Sequence, residues 1–249
     1  MALATAVSAT VFAQNKVKNI YASSSRLNIE TLQSSDQTVQ LNRYFFAGYN
    51  TLCLPMSLTA QQLATAAKDL RVERLAGIGQ EGATLNLYFV DCTAEGIQAG
   101  VPYLVYSPTT QYLRVKNSEA ASIDRDLKVV RMSDGQGNTV SFSSAWESIE
   151  KAGRYGIPAQ PDVTPLESVL IRTDADKKFL PTRCGFTWDE QSPTANKLEI
   201  RHMASISDVT AVLAVSRDAE EGPAYNLQGR KVSSSAKGVR IQNGRKIVR

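Results

Sequence analysis

Short runs of alternating apolar and polar residues, separated by turn clusters, constrain the fold of this chain most. Alternation with period two places every second side chain on one face of a strand, and clusters of Ser, Asn, Gly and Pro end each run. Such runs recur in Val39–Tyr44, Ala83–Val90, Tyr103–Tyr106 and Lys197–Met203. The pattern predicts a mainly-β fold, an antiparallel β-sandwich of two halves with one or two short helices.

The helices are predicted from capping signals. Thr59 and Gln62 have the spacing of a capping box and precede apolar residues at helical intervals, which predicts a helix over roughly residues 60–70. Ser144–Glu147 has the same spacing, and residues 145–152 could form two helical turns.

Two further segments give local signals for strands. Leu27–Glu30 alternates and is interpreted as part of a strand. The segment Asp134–Asn138 supplies two glycines between apolar runs, which is typical of a hairpin.

Composition shifts divide the chain into four parts. The polar residues 116–126 mark a boundary between two β-rich halves, 14–118 and 119–215, and residues 216–249 form a linker and a basic C-terminal hairpin tail. Residues 1–13 resemble a signal peptide: they are uncharged and small or apolar, with cleavage expected before Gln14. A signal peptide should begin with a basic region, but residues 2–13 contain no Lys or Arg. The true start is therefore expected upstream, or the start codon is misassigned, and a buried or disordered N-terminal strand is the alternative.

The basic charge is concentrated in the tail. Gly222–Arg249 contains seven Lys or Arg residues and no Asp or Glu, whereas the whole chain has a net charge of +4, so residues 1–221 carry 4 − 7 = −3. A nucleic-acid partner is therefore not expected, because phosphate binding needs basic residues on a folded face. The tail is either a solvated basic terminus or a contact for an anionic partner. The longest apolar stretch, near the N-terminus, is far shorter than the ~20 residues of a transmembrane helix.

Few residues are candidates for catalysis or metal binding. The cysteines Cys53, Cys92 and Cys184 fit no zinc motif, and buried free thiols are expected, with a Cys53–Cys92 disulfide as the alternative. His202 is the only histidine; a Cys184–His202 pair is conceivable, but a packed or surface histidine is more common. Asp174 and Asp176 are interpreted as a turn rather than a calcium site. We assign no catalytic, cofactor-binding or metal-binding residue.

Aromatic side chains offer a possible binding surface. Burial in a sandwich core is their ordinary use, and exposed rings would instead stack on sugars or peptides. The candidates for such stacking are Tyr103, Tyr106, Tyr112 and Trp188.

Several motifs, in order along the chain, resemble one family. Tyr49–Pro55 and Ile97–Val105 are similar to the W-N-T-L-C-L-P-F and I-x-A-G-x-P-Y-L patterns of secreted β-rich domains of Bacteroidota. Val140–Phe142 and Val169–Pro181 are similar to the V-x-F strand and the later hairpin of those domains. Tyr49 stands where that family usually has Trp.

The tail resembles the C-terminal sorting signal of type IX secretion, Y-N-L-x-G-x-x-V … K-G-x-x-I-x-N-G-x-K-x-x-x-K. Arg240 departs from the pattern, which usually has Tyr there. The matching residues are Tyr225, Asn226, Leu227, Gly229, Lys237, Gly238, Asn243, Gly244, Lys246 and Arg249.

The resemblance implies a function in export and display but carries no catalytic residues. It implies an exported, non-enzymatic β-sandwich that serves as an interaction or surface-display module, secreted or at the outer-membrane surface, and that contacts the sorting machinery through its tail. A carbohydrate-binding or adhesin-like surface protein, with a glycan or protein ligand, is the alternative, and a secreted hydrolase is a third hypothesis.

Overall fold

The computed structural model describes residues 17–34, 36–150, 153–158, 170–172, 178–190, 195–220, 224–226, 228–232, 239–242 and 245–248. The signal-peptide-like segment 1–13 lies outside these ranges. The described residues are 50% strand and 15% helix, with several sheets arranged in a sandwich-like manner. The prediction of a mainly-β, sandwich-like fold is confirmed.

The described elements follow the short-run pattern of the sequence. The strands are β1 (Lys18–Tyr21), β2 (Val39–Phe45), β3 (Gly48–Leu52), β4 (Met56–Ser57), β5 (Arg71–Glu81), β6 (Thr84–Asp91), β7 (Tyr103–Ser107), β8 (Gln111–Lys116), β9 (Ser122–Ile123), β10 (Val130–Ser133), β11 (Asn138–Ser144), β12 (Ile149–Glu150), β13 (Tyr155–Gly156), β14 (Ile171–Arg172), β15 (Lys178–Phe179), β16 (Cys184–Glu190), β17 (Lys197–Met203), β18 (Ala224–Asn226), β19 (Lys231–Val232), β20 (Val239–Gln242) and β21 (Arg245–Val248). The helices are α1 (Ile29–Gln33), α2 (Ala60–Ala66) and α3 (Ile206–Glu220), with 3₁₀ turns η1 (Thr93–Glu95) and η2 (Asn117–Glu119).

The strands form three larger sheets in the body and one in the tail. The central sheet has the order β17-β6-β5-β7-β3, the second sheet β10-β11-β16-β13-β14, the third β1-β2-β8 and the tail sheet β19-β18-β20-β21, and β12-β15 and β4-β9 form short pairs. Among the described strands, the β1–β2 and β17–β6 pairs are parallel, and the others are antiparallel. Because β17 joins β6, the central sheet draws on both sides of the boundary at 118/119.

The central sheet is buried on both faces. On its inner face, Phe89 meets Phe142 and Phe186 of the second sheet, whose rings stack with centroids 4.3 Å apart. On its outer face, Val72 and Val105 pack into a cluster with the third sheet and with helices α1 and α2. A strand covered on both faces needs apolar residues on both, which explains the apolar runs Leu87–Val90 in β6 and Tyr103–Tyr106 in β7.

Helix α3 covers the remaining outer surface of β5 and β6. A Cβ atom at Gly77 would lie 3.0 Å from Val209 of this helix, and one at Gly79 would lie 2.8 Å from Leu213. The two glycines therefore allow the helix to approach the strand closely. The strand β5 was not predicted from the sequence.

The prediction for the first capping box is confirmed. The Thr59 side chain accepts from the Gln62 amide, and the Gln62 side chain accepts from the Thr59 amide, at the start of α2. The helix ends at Ala66 rather than near residue 70, because its C-cap residue Ala67 is extended, with φ −156° and ψ 143°, and β5 begins at Arg71.

Two local predictions are wrong. Leu27–Glu30 is not a strand: the Asn28 side chain accepts from the Thr31 amide and caps α1. Residues 145–150 are not helical, because their backbone pairs with residues 25–27 through Leu27 N to Trp146 O and Ser148 N to Ser25 O bonds. Residues 151–152 lie outside the described ranges.

The hairpin prediction at Asp134–Asn138 is confirmed, since β10 and β11 pair on either side of it. Helix α3 was missed by the sequence reasoning. Its start carries a signal that could have revealed it, because the Ser205 hydroxyl accepts from the Asp208 amide in a capping pattern.

Replacing Gly100 by alanine tests the packing of the loop before β7. Gly100 has a φ of +75°, and a Cβ there would lie 1.9 Å from the Asp126 carbonyl oxygen, whereas Gly82, with a φ of +58°, has open space around it. We expect Gly82→Ala to cost about 1–2 kcal/mol in free energy of unfolding through backbone strain alone. Gly100→Ala should cost more than about 3 kcal/mol, because the clash with a backbone atom is added. Urea unfolding of both variants measures the difference; equal losses would contradict the packing at Asp126.

Candidate functional site

Side chains from the two edge strands of the central sheet meet across one of its faces. Tyr49 on β3 and His202 on β17 lie on opposite edges, which in a flat five-stranded sheet would be roughly 19 Å apart. Their rings are instead stacked, with centroids 4.6 Å apart and planes 19° from parallel. A register shift in β5 between Leu75 and Gly77 adds local twist.

A buried carboxylate holds the two edges together. Glu73 of β5 is almost fully buried and accepts from Arg71 Nε at 2.9 Å through one oxygen, and its other oxygen lies 2.6 Å from His202 Nδ1. The Tyr49 hydroxyl accepts from Arg71 Nη2, and the Arg71 guanidinium also lies over the Tyr106 ring. Burial, with the Glu73 charge second, raises the pKa of Tyr49. We call these five residues the Glu73 cluster.

The Glu73 cluster resembles in part the pairing of a base with its orienting acid. A carboxylate on Nδ1 fixes the tautomer and orientation of an imidazole, as in catalytic triads. Here the imidazole is also covered on one face by Tyr49, and about a third of the His202 side chain is exposed. The arrangement therefore serves first to close the edges of the sheet.

The three cysteines are free and buried. Burial raises the pKa of Cys92 and of Cys184 to about 12, and it raises the pKa of Cys53 well above its ordinary value. The backbone amide of Cys184 donates a hydrogen bond to the Thr51 hydroxyl oxygen at 2.8 Å. At neutral pH the thiols are protonated, so a Cys184–His202 nucleophile is not supported.

A second candidate site lies where β1 ends beside β2. A pocket of about 210 Å³ is lined by four aromatic residues, two arginines and three small or polar residues: Tyr21, Tyr44, Phe46, Tyr112, Arg43, Arg183, Ala22, Ser23 and Asn42. Tyr44 meets both Phe46 and Tyr112 edge to face, with centroids 5.1 and 5.0 Å apart. We call this the aromatic–arginine pocket. Tyr21 is 47% exposed and Tyr112 is 37% exposed, so both rings are accessible to a ligand.

The two arginines of this pocket lack a negative partner within the described part of the chain. Arg43 is buried, and its guanidinium donates to the carbonyl oxygens of Tyr44 and Thr51. The Nε atoms of Arg43 and Arg183 are both buried without a hydrogen-bond partner. Burial and the neighbouring charge of Arg183 lower the pKa of Arg43 to about 9.

The structure separates the four aromatic residues that the sequence suggested for stacking. Tyr103 and Trp188 are buried, and their polar atoms are engaged: Tyr103 Oη accepts from the Gln98 amide, and Trp188 Nε1 donates to Asn138. Tyr106 belongs to the Glu73 cluster, and Tyr112 lines the aromatic–arginine pocket. Sequence reasoning missed Tyr21, Arg43 and Arg183, because alternation alone does not reveal which strand ends come together.

The tail folds as the sequence pattern predicts. β20 pairs with β21 so that Gln242 faces Arg245, and β18 lies between β19 and β20. The side chain of Asn226 accepts from the amides of Gln228 and Arg230, and Gly229 has a φ of 75°. The motif positions Asn226 and Gly229 therefore build the turn between β18 and β19.

Of the other motif residues in the tail, the structure describes only Tyr225 and Lys246. Tyr225 is exposed at the centre of the tail sheet, and Lys246 lies in β21. The remaining motif residues, together with the acidic pair expected to form a turn, lie outside the described ranges: Leu227, Lys237, Gly238, Asn243, Gly244, Arg249, Asp174 and Asp176.

Within the described ranges, no group of three or more potential metal ligands comes together. No helix there has the length and apolar character needed to cross a membrane. No protein-family model, curated protein or solved structure matches this chain.

Replacing the buried carboxylate of Glu73 tests whether the Glu73 cluster stabilises the fold. Glu73→Gln keeps the shape but removes the charge that Arg71 and His202 share, so we expect a loss of about 2 kcal/mol in free energy of unfolding. The control is Glu95→Gln, which breaks the solvent-exposed Arg74–Glu95 pair and should cost less than about 1 kcal/mol. Denaturant unfolding of both variants checks this, and an equal effect would contradict a stabilising role for the buried carboxylate.

Thiol labelling tests the burial of the cysteines. We expect the three thiols of the chain to react with Ellman's reagent at pH 7 much more slowly in the folded protein than in denaturant, since burial removes access and keeps them protonated. After unfolding without reductant, all three should titrate. A count of one thiol would instead indicate a disulfide.

Proposed function

We propose that this chain is an exported, non-enzymatic β-sandwich that acts as an interaction or display module, secreted or at the outer-membrane surface. The observation that carries the proposal is the construction of the tail. Its strands pair with one another in a four-stranded sheet, and the motif residues Asn226 and Gly229 form one of its turns. A terminal unit with its own pairing can be offered to a partner while the body keeps its fold.

The charge distribution supports a separate role for the tail. The tail has a net charge of +7. The whole chain has a net charge of +4, so the rest of the chain has 4 − 7 = −3. Basic side chains on the edge strands of a small sheet also disfavour pairing with strands of other molecules. A secretion or sorting machinery that reads the tail would therefore meet a surface that differs in charge from the body.

The chemistry of the described residues supports an interaction role rather than catalysis. The imidazole of His202 is held between Glu73 and Tyr49, where it links the edges of the central sheet. The Cys184 thiol is buried, and its raised pKa keeps it protonated at neutral pH.

A carbohydrate-binding or adhesin-like role is the second candidate. The aromatic–arginine pocket favours it, because Tyr21 and Tyr112 expose ring faces beside polar side chains. Tyrosine rings of this kind combine an apolar face with a polar end, which suits sugars and peptides.

The tail turn provides a test of export in the producing cell. We expect Asn226→Ala to reduce the secreted or surface-exposed amount severalfold with accumulation inside the cell, because the turn between β18 and β19 loses the side chain that accepts two amides. Gln228→Ala is the matched control, since only its backbone amide takes part in the turn. Mass spectrometry of the exported protein should find a chain that begins at Gln14. An intact cytoplasmic chain from Met1 to Arg249, unaffected by Asn226→Ala, would refute the proposal.

A further inference from the structure

The aromatic–arginine pocket contains two neighbouring cations with no described counter-charge. Arg43 is only 4% exposed, and Arg183 is close enough that its charge disfavours the protonated form of Arg43. No Asp or Glu among the described residues forms an ion pair with either arginine. Buried charges are normally paired, because removing them from water is costly. An anion bound between the two guanidinium groups would relieve this cost.

The geometry prepares the pocket for such an anion. Two backbone carbonyl oxygens, those of Tyr44 and Thr51, hold the Arg43 guanidinium in place. The Nε atoms of Arg43 and Arg183 are buried and have no acceptor in the described part of the chain, so a carboxylate in the pocket would have to bind to the Nη groups. Because the two carbonyl oxygens already fix the Arg43 guanidinium, binding of a carboxylate there would cost little further entropy.

The walls of the pocket select the rest of the ligand. Tyr21, Tyr44 and Tyr112 line the space beside the arginines, and Ser23 adds a hydrogen-bonding group. The Asn42 side chain is already bonded to Asn19, Ile20 and Gln40. The volume of about 210 Å³ corresponds to about seven water molecules at their share of liquid volume. This is space for one small ring with hydroxyl groups rather than for an extended chain.

We propose that the aromatic–arginine pocket binds the acidic sugar unit of a glycan, with its carboxylate on Arg43 and Arg183 and its ring against Tyr21 and Tyr112. The proposal rests on the interaction role proposed above and names the class of ligand. Stacking of the sugar ring on tyrosine supplies contact area, and the arginine pair supplies the preference for an acid over a neutral sugar.

A larger groove elsewhere does not offer the same preference. The groove beside Trp146 has a volume of about 670 Å³. Its charged residues, however, are balanced between two arginines and two glutamates: Arg26, Arg125, Glu30 and Glu147. An anion there would meet as much repulsion as attraction, so this groove provides the control position.

Titration calorimetry with the full chain tests the proposal. The probes are the methyl glycosides of glucuronic and galacturonic acid, the neutral methyl glucoside and galactoside, and sodium sulfate. We expect saturable binding of at least one uronide, no detectable binding of the neutral sugars, and weaker binding of sulfate, which carries charge but no ring.

Variants locate the binding site. Arg183→Met should weaken uronide binding at least about tenfold, the effect of losing hydrogen bonds to a charged group. Arg183→Lys should weaken it less, because the charge is kept while the planar fork is lost. Tyr112→Ala should weaken uronide binding and leave sulfate binding unchanged. Arg26→Met, in the groove beside Trp146, should have no effect, and circular dichroism with thermal unfolding confirms that each variant is folded.

The outcomes separate this inference from the proposed function. Sulfate binding as strong as uronide binding, with no effect of Tyr112→Ala, would overturn the sugar and leave a simple anion site. Binding of neutral glycans alone would overturn the acidic ligand while the interaction role stands. Uronide binding that is unchanged in Arg183→Met would overturn the site.

Discussion

The coiling of the central sheet is the constraint on which the rest of the structure depends. The side chains of Tyr49 on β3 and His202 on β17 stack across its inner face, and the second sheet packs against this face with the stacked rings of Phe142 and Phe186. The outer face is divided between the third sheet and α3. Glycines 77 and 79 permit the contact with α3, and the shift in β5 adds to the twist.

The protein treats its buried charges in two different ways. Glu73 is satisfied by Arg71 and His202, so its charge binds neighbouring strands together. Arg43 and Arg183 sit side by side without a described carboxylate, although two carbonyl oxygens accept from Arg43. The first arrangement has the pairing expected of a structural site. The second leaves donors unsatisfied, which is more typical of a site for an external group.

Local chemistry made part of this structure predictable. The capping box of α2 and the strand pairs β10–β11 and β20–β21 depend on residues close together in the sequence. One failure shows the limit of local chemistry: residues 145–150 have a helical signal, but backbone bonds pair them with residues 25–27, about 120 positions away. The local helix propensity of residues 145–150 was overridden by pairing with a distant segment, which sequence periodicity does not reveal.

The sequence by itself determined the mainly-β class, the capped helix α2 and the paired strands of the basic tail, because each follows from alternation or from a short-range hydrogen bond. The tertiary structure decided which side chains share a site. Tyr21, Tyr112 and Arg183 come from β1, β8 and the residue before β16, and they meet only because the third sheet ends beside the second. Contacts between distant segments depend on sheet order and coiling, and these are set by packing of the whole core rather than by any local pattern.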